Sequence, residues 1–166
     1  MQTAAQIIGI IGSALMIFSF QLHDNKKLFF VHTLAGLCFT VNFTMIGAYA
    51  AALLNIIGAV RTAFLYFGDK FRKLYILLII CLGFAAVTVF TYSRPFDIAI
   101  CIAQIAITCA MWTNNGKTIR IVQLFFTSPI WLAYNITVFT IGGIICESFN
   151  MCSVIVSFIR FRKKGF

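Results

Sequence analysis

Glu147 stands inside an apolar run, ITVFTIGGIICESFNMCSVIVSF, with Asn150 three residues further on. A carboxylate there can hold a cationic group or exchange a proton, and an amide can both donate to and accept from a solute. With 3.6 residues per helical turn, Gly143, Glu147, Asn150, Ser153 and Ser157 share about a third of a helix circumference. Such a polar stripe is penalised against lipid, so it is expected to face a protein interior. Its chemistry is either a substrate- or proton-binding face, or interhelical hydrogen bonding alone.

Arg61, in LLNIIGAVRTAFLYF, is the other charge set among apolar residues. It can attract an anionic substrate or counter a carboxylate, and with Glu147 it forms the candidate ion-coupling pair. Its long stem can equally snorkel to an interface. Asn55 lies in a stripe of small residues, Ala51, Ala59 and Ala63, that reads first as a packing seam. Trp131, Tyr134 and Asn135 are close enough on one helix to line a pocket, or to anchor it at the membrane face. Asn42 and Asn135 each open an N-x-T triplet within an apolar stretch, where glycosylation is not expected. His32 is read as an interhelical hydrogen-bonding partner ahead of a proton relay. Six cysteines show no CxxC pair and no zinc-like spacing with histidine, so no metal site, disulfide framework or cofactor is expected. With no nucleophile–base spacing either, the chain does not read as an enzyme.

The elements that position these residues follow from hydropathy. Of 166 residues, 61% are hydrophobic and 10% charged; soluble domains carry about 25% charged residues. Apolar stretches recur at about 4–22, 28–45, 48–67, 74–92, 97–113, 119–140 and 142–159, each near the length of a bilayer-spanning helix. Continuous apolar runs without alternation favour helices over a barrel. The expected fold is therefore an all-α membrane protein of seven transmembrane helices. MQTAAQ has no basic n-region, so the first span is not read as a cleaved signal.

The net charge of +9 sits beside the spans and does not point to nucleic acid. Lys26, Lys27, Lys70, Arg72, Lys73, Lys117, Arg120, Arg160, Arg162, Lys163 and Lys164 fall on one side, against Arg94 on the other. That bias predicts a cytoplasmic C-terminus and, with seven crossings, an N-terminus outside. Pro129, in the sixth span, removes a backbone donor opposite the Phe125 carbonyl and predicts a local distortion near Trp131.

One pattern is stated twice. NFTMIGAYAAALLN begins at Asn42 and NITVFTIGGIICESFN at Asn135, 93 residues later; their glycines, Gly47 and Gly142, are 95 apart. Each copy predicts the end of one helix, a tight turn at the glycine, and the start of the next. Spans one to three thus echo spans five to seven, with 74–92 between them. A lone fourth crossing lets both triplets insert in the same direction, giving two parallel three-helix repeats joined by a linker helix. The expected divisions are 1–67, 68–96 and 97–166, the last carrying the basic tail.

Asn55-x-x-Gly58 and Trp131-x-x-Tyr134 resemble motifs of the SWEET and PQ-loop sugar and amino-acid transporters, which share this 3+1+3 layout. The resemblance implies a central pocket to which Asn55 and Asn150 contribute. The chain departs from the PQ-loop pattern in having only Pro95, in a loop, and Pro129. Gly47-x-Tyr49, Arg61-Thr62, Ile141-Gly142-Gly143-x-x-x-Glu147 and Ile159-Arg160-Phe161 resemble the bacterial inner-membrane YgjV-like family over most of the chain. That likeness implies an inner-membrane address and carries no activity with it. The expected function is transport of a small polar solute at a site between the repeats. The alternative is a non-transporting accessory protein whose polar residues only hold the bundle together. The lipid bilayer is the expected partner; for the assembly, seven helices can suffice alone, and a homodimer, common among small bundles, is the other option.

Overall fold

The computed structural model describes residues 2–162 apart from residues 93 and 139; Lys163 and Lys164 of the basic tail lie outside the described residues. The described residues are helical, with no strand among them. The helices are α1 (Gln2–Ser19), α2 (Asn25–Met45), α3 (Tyr49–Tyr66), α4 (Leu74–Thr91), α5 (Pro95–Trp112), α6 (Gly116–Val122), α7 (Ser128–Thr137) and α8 (Ile141–Arg162). A π-helical stretch, Gln123–Thr127, joins α6 to α7 without a break, so the eight helices make seven rods. Five helices, α2 to α5 and α8, are long and apolar enough to cross a membrane.

Local chemistry sets the ends. The Asp24 carboxylate accepts the Lys26 N–H at 2.8 Å to start α2, and Asn115 Oδ1 accepts from the Lys117 and Thr118 amides to start α6. Pro95 opens α5, where its missing N–H costs nothing. Gly47 takes φ +78°, a left-handed turn that a Cβ would oppose, and lets the Ala48 amide close back on the Phe43 carbonyl at 2.9 Å. The matching closure in the second half joins the Thr140 amide to the Asn135 carbonyl at 3.0 Å. Gly142 therefore does not make the turn expected of it: it belongs to the first turn of α8.

The expected distortion at Pro129 takes the form of that π stretch. The Ser128 amide reaches back five residues to the Gln123 carbonyl, a widened turn that admits a proline ring without a helix break.

Contacts arrange the rods as a ring. Helix α1 packs on α2, α2 on α3, α3 on α5, α5 on the π stretch and α7, α7 on α8, and α8 on α1. Helix α4 lies outside, against α3 and α5. It buries little besides Ile80, Phe84 and Thr88, and Phe90 is 87% exposed. Small residues bring rods close: a Cβ at Gly36 would lie 3.2 Å from that of Ala59, so the α2–α3 seam is the one the Ala51–Ala59 stripe implied. One end of the bundle carries the turns near 47, 94 and 140 and is here the turn end. The opposite, basic end carries the loops after α1, α3 and α5.

Candidate functional site

At the centre of the ring lies a partly enclosed cavity of about 60 Å³. Asn55, Arg61, Trp131, Asn135 and Glu147 all line it, together with Gln104 from α5. The residues picked out from the sequence thus converge from α3, α7 and α8, although their positions along the chain place Arg61 and Glu147 at different depths.

Arg61 does not snorkel. It is 3% exposed, and its Nη1 donates to Gln104 Oε1 at 3.2 Å and to Thr108 Oγ1 at 2.8 Å. The guanidinium also stands 5.9 Å from the Phe84 ring centroid, while its Nε–H, buried in the interior, has no acceptor. On the other wall Glu147 Oε2 accepts from Asn150 Nδ2 at 3.4 Å. Asn150 Nδ2 also donates to Ser128 Oγ at 3.2 Å, and Gln123 Nε2 reaches the same hydroxyl at 2.9 Å. Glu147 therefore ends a polar chain running through α8 into the π stretch. Asn150 is fully buried and is not among the residues lining the cavity, and its Oδ1 is unsatisfied. Ser153 and Ser157 are buried on the same stripe, which faces the interior.

Asn55 is half-buried and bonds only within its own helix, Nδ2 to the Ala51 carbonyl at 2.9 Å, so its carbonyl oxygen is free toward the cavity. Asn135 Oδ1 accepts from Thr140 Oγ1 at 2.9 Å, and a Cβ at Gly143 would collide with the same oxygen. His32 also lines the cavity, with Nδ1 3.4 Å from Ser19 Oγ.

Above the cavity, a vestibule of about 1090 Å³ opens at the turn end, and Asn42 and Tyr134 line it. Asn42 is also a tie, Nδ2 donating to the Ala5 carbonyl at 2.7 Å. Phe39, Phe43 and Gly143 line both spaces, so a thin layer divides them. Trp131 completes it, 6.1 Å from Phe43 and 5.7 Å edge-on to Tyr134. Toward the basic end the ring is filled by apolar side chains, among them Phe20, Phe29, Met111 and Ile119.

Three polar residues at structural positions escaped the sequence reading. Asp97, 3% exposed at the vestibule, accepts the Arg94 amide at 2.8 Å and caps α5. Gln104 carries the Arg61 contact. Arg120, counted with the loop charges, is 1% exposed: its Nη2 takes the Phe20 and Leu22 carbonyls at 3.0 and 2.8 Å, and its Nε the Ser157 hydroxyl at 3.0 Å. It clamps the end of α1 to α6 and α8. The repeated three-residue steps Asp97-to-Arg94 and Asn150-to-Glu147 were the available signals, but nothing in one sequence aligns Gln104 with Arg61.

The chain was compared with known proteins. A family profile described as bacterial inner membrane protein, Imp-YgjV, matches residues 3–165. Inner membrane protein YgjV of Escherichia coli strain K12 is 26% identical over 164 residues, 97% of this chain and 87% of that protein. No solved structure matches.

Proposed function

The chain belongs to the YgjV family of bacterial inner membrane proteins, and from that premise we propose that it carries a small polar solute through the cavity at the centre of its ring. As a family member with several apolar helices it is a multi-pass protein of the inner membrane. The basic end faces the cytoplasm, by the charge bias, so the vestibule faces outward.

The observation that carries the reading is one-sided access to a shared polar cavity. Five candidate residues meet in a small, partly enclosed space, Phe39, Phe43 and Gly143 lie between it and a wide vestibule, and the far side is packed with apolar side chains. Transport by alternating access needs a site closed on one side while the other opens. The neighbour order supports two repeats: α1–α2–α3 and α5–α6/α7–α8 follow one another alike around the ring, and α3 meets α5 as α8 meets α1. In this reading a half-turn about the ring axis would exchange the two triplets, with α4 returning the chain between them in a 3+1+3 layout. Glu147, reached from the cavity, is the group through which an ion gradient couples. A homodimer belongs to the same proposal.

The test is a thermal-shift screen of the purified protein against sugars, amino acids, nucleosides and vitamins. A ligand at 100 times its Kd stabilises by about 2.7 kcal/mol, a readable rise in melting temperature. One class is expected to stabilise the wild type and not Trp131→Ala. If no class does, and reconstituted protein takes up none of them, the accessory reading replaces this one.

A further inference from the structure

We propose that the solute is a small zwitterion, its carboxylate held by Arg61 and its ammonium by Glu147; the inference rests on the transport reading of the same cavity. Two groups of opposite formal charge line one partly enclosed space of about 60 Å³. Among the described residues neither has an ionic partner: Arg61 donates to the neutral Gln104 and Thr108, and Glu147 accepts from the neutral Asn150. A buried charge without a counter-charge is costly, and the cost falls when a ligand supplies one.

The unused valences point the same way. The buried Arg61 Nε–H lacks an acceptor. A guanidinium offers planar, paired donors that match a carboxylate, and a carboxylate ligand can take the Nε–H left open. At the other wall, Glu147 offers acceptor lone pairs to an ammonium, and Trp131, which lines the same space, is an aromatic ring to which a cation is attracted. A solute bearing one charge satisfies one wall and leaves the other uncompensated. A neutral polyol satisfies neither. Phe39, Ile107 and Trp131 line the same space with apolar surface, and Gly36 and Gly58 line it without side chains. That lining suits a short apolar or hydroxylated substituent. The class is therefore a compact amino acid or a zwitterion of equal size, admitted when the Phe43–Trp131 layer parts.

The test is calorimetric titration of the full chain in nanodiscs. Glycine, L-alanine, L-serine and L-leucine are the zwitterions; L-alaninamide lacks the carboxylate, propionate lacks the ammonium, and D-glucose lacks both. At least one zwitterion is expected to bind, and L-alanine to bind at least tenfold more tightly than alaninamide or propionate. Arg61→Gln should abolish the preference over alaninamide, and Glu147→Gln the preference over propionate. Arg61→Lys, which keeps the charge, should retain part of the first preference and guards against a fold defect. Propionate binding as tightly as L-alanine would overturn the role of Glu147 and with it the zwitterion. Binding and uptake of glucose with every zwitterion silent would sink the inference while leaving transport intact. Silence of all seven probes also overturns the inference, and the wider solute screen then decides transport separately.

Discussion

Gly142 and Gly143 are neighbours in the first turn of α8 with opposite tolerances. A Cβ at Gly142 meets nothing within 4 Å, whereas one at Gly143 collides with the Asn135 amide between α7 and α8. Overpacking of this kind costs about 1–3 kcal/mol. Gly143→Ala is therefore expected to lower the melting temperature in detergent clearly, and Gly142→Ala to leave it within the range of an ordinary surface change, about 0.5 kcal/mol. Equal melting temperatures for the two variants would remove the Asn135–Gly143 contact from the account. At this scale charge and amide groups that interrupt an apolar run are legible in the sequence at Glu147, Arg61 and Asn55, but not at Gln104. The sequence did not show direction. Arg61 and Arg120 both sit near the basic end of a span, and each turns inward to neutral acceptors. Whether a long cation snorkels or turns in depends on groups supplied by other helices, here Thr108 and the frayed carbonyls at the end of α1.

Helix α4 illustrates what an element contributes. Its sequence, without charge, Asn or Gln, reads as lipid-facing, and most of it is exposed. Phe84 is the exception, fully buried and placed over the Arg61 guanidinium. In a bilayer the transfer share of a truncation shrinks because lipid is as apolar as the side chain, while the cavity share remains. Phe84→Ala is expected to destabilise by about 2 kcal/mol, from lost packing and the lost cation contact, and Phe90→Ala by less than about 0.5 kcal/mol. A larger loss from Phe90→Ala, measured by thermal unfolding in detergent, would mean that α4 packs by a different face. Helix positions were readable from hydropathy, and five of the helices are long and apolar enough to cross a membrane. The π stretch was readable only in part: Pro129 marked a missing donor, yet the form of relief depends on how Gln123 and Ser128 bond across the widened turn. The turn before α8 was misplaced at Gly142 for a related reason. Glycine is required only where φ is positive, as at Gly47, and a glycine in a first helical turn looks the same in sequence.

For the whole molecule, the repeated N-x-T pattern leads to the proposal of two halves, and superposing residues 4–67 on 97–160 by rotation about the membrane normal tests it. What one chain cannot encode visibly is which triplet faces meet, so the convergence of Asn55, Arg61 and Glu147 on a single cavity emerges only from packing. Orientation follows from the charge bias: a reporter fused after Phe166 is expected to be active only when it requires the cytoplasm, and activity of an exterior-only reporter would invert the molecule. The central claim is that the cavity opens in turn to each side of the membrane. Thr127 lines that cavity and its buried hydroxyl has no hydrogen-bond partner, so Thr127→Cys is a mild probe in a background with the six native cysteines replaced. Membrane-impermeant maleimide is applied to right-side-out and to inside-out vesicles carrying this variant. The account predicts labelling from both sides, slowed together by a bound solute. Labelling from neither side, or from the vestibule side alone, would contradict it.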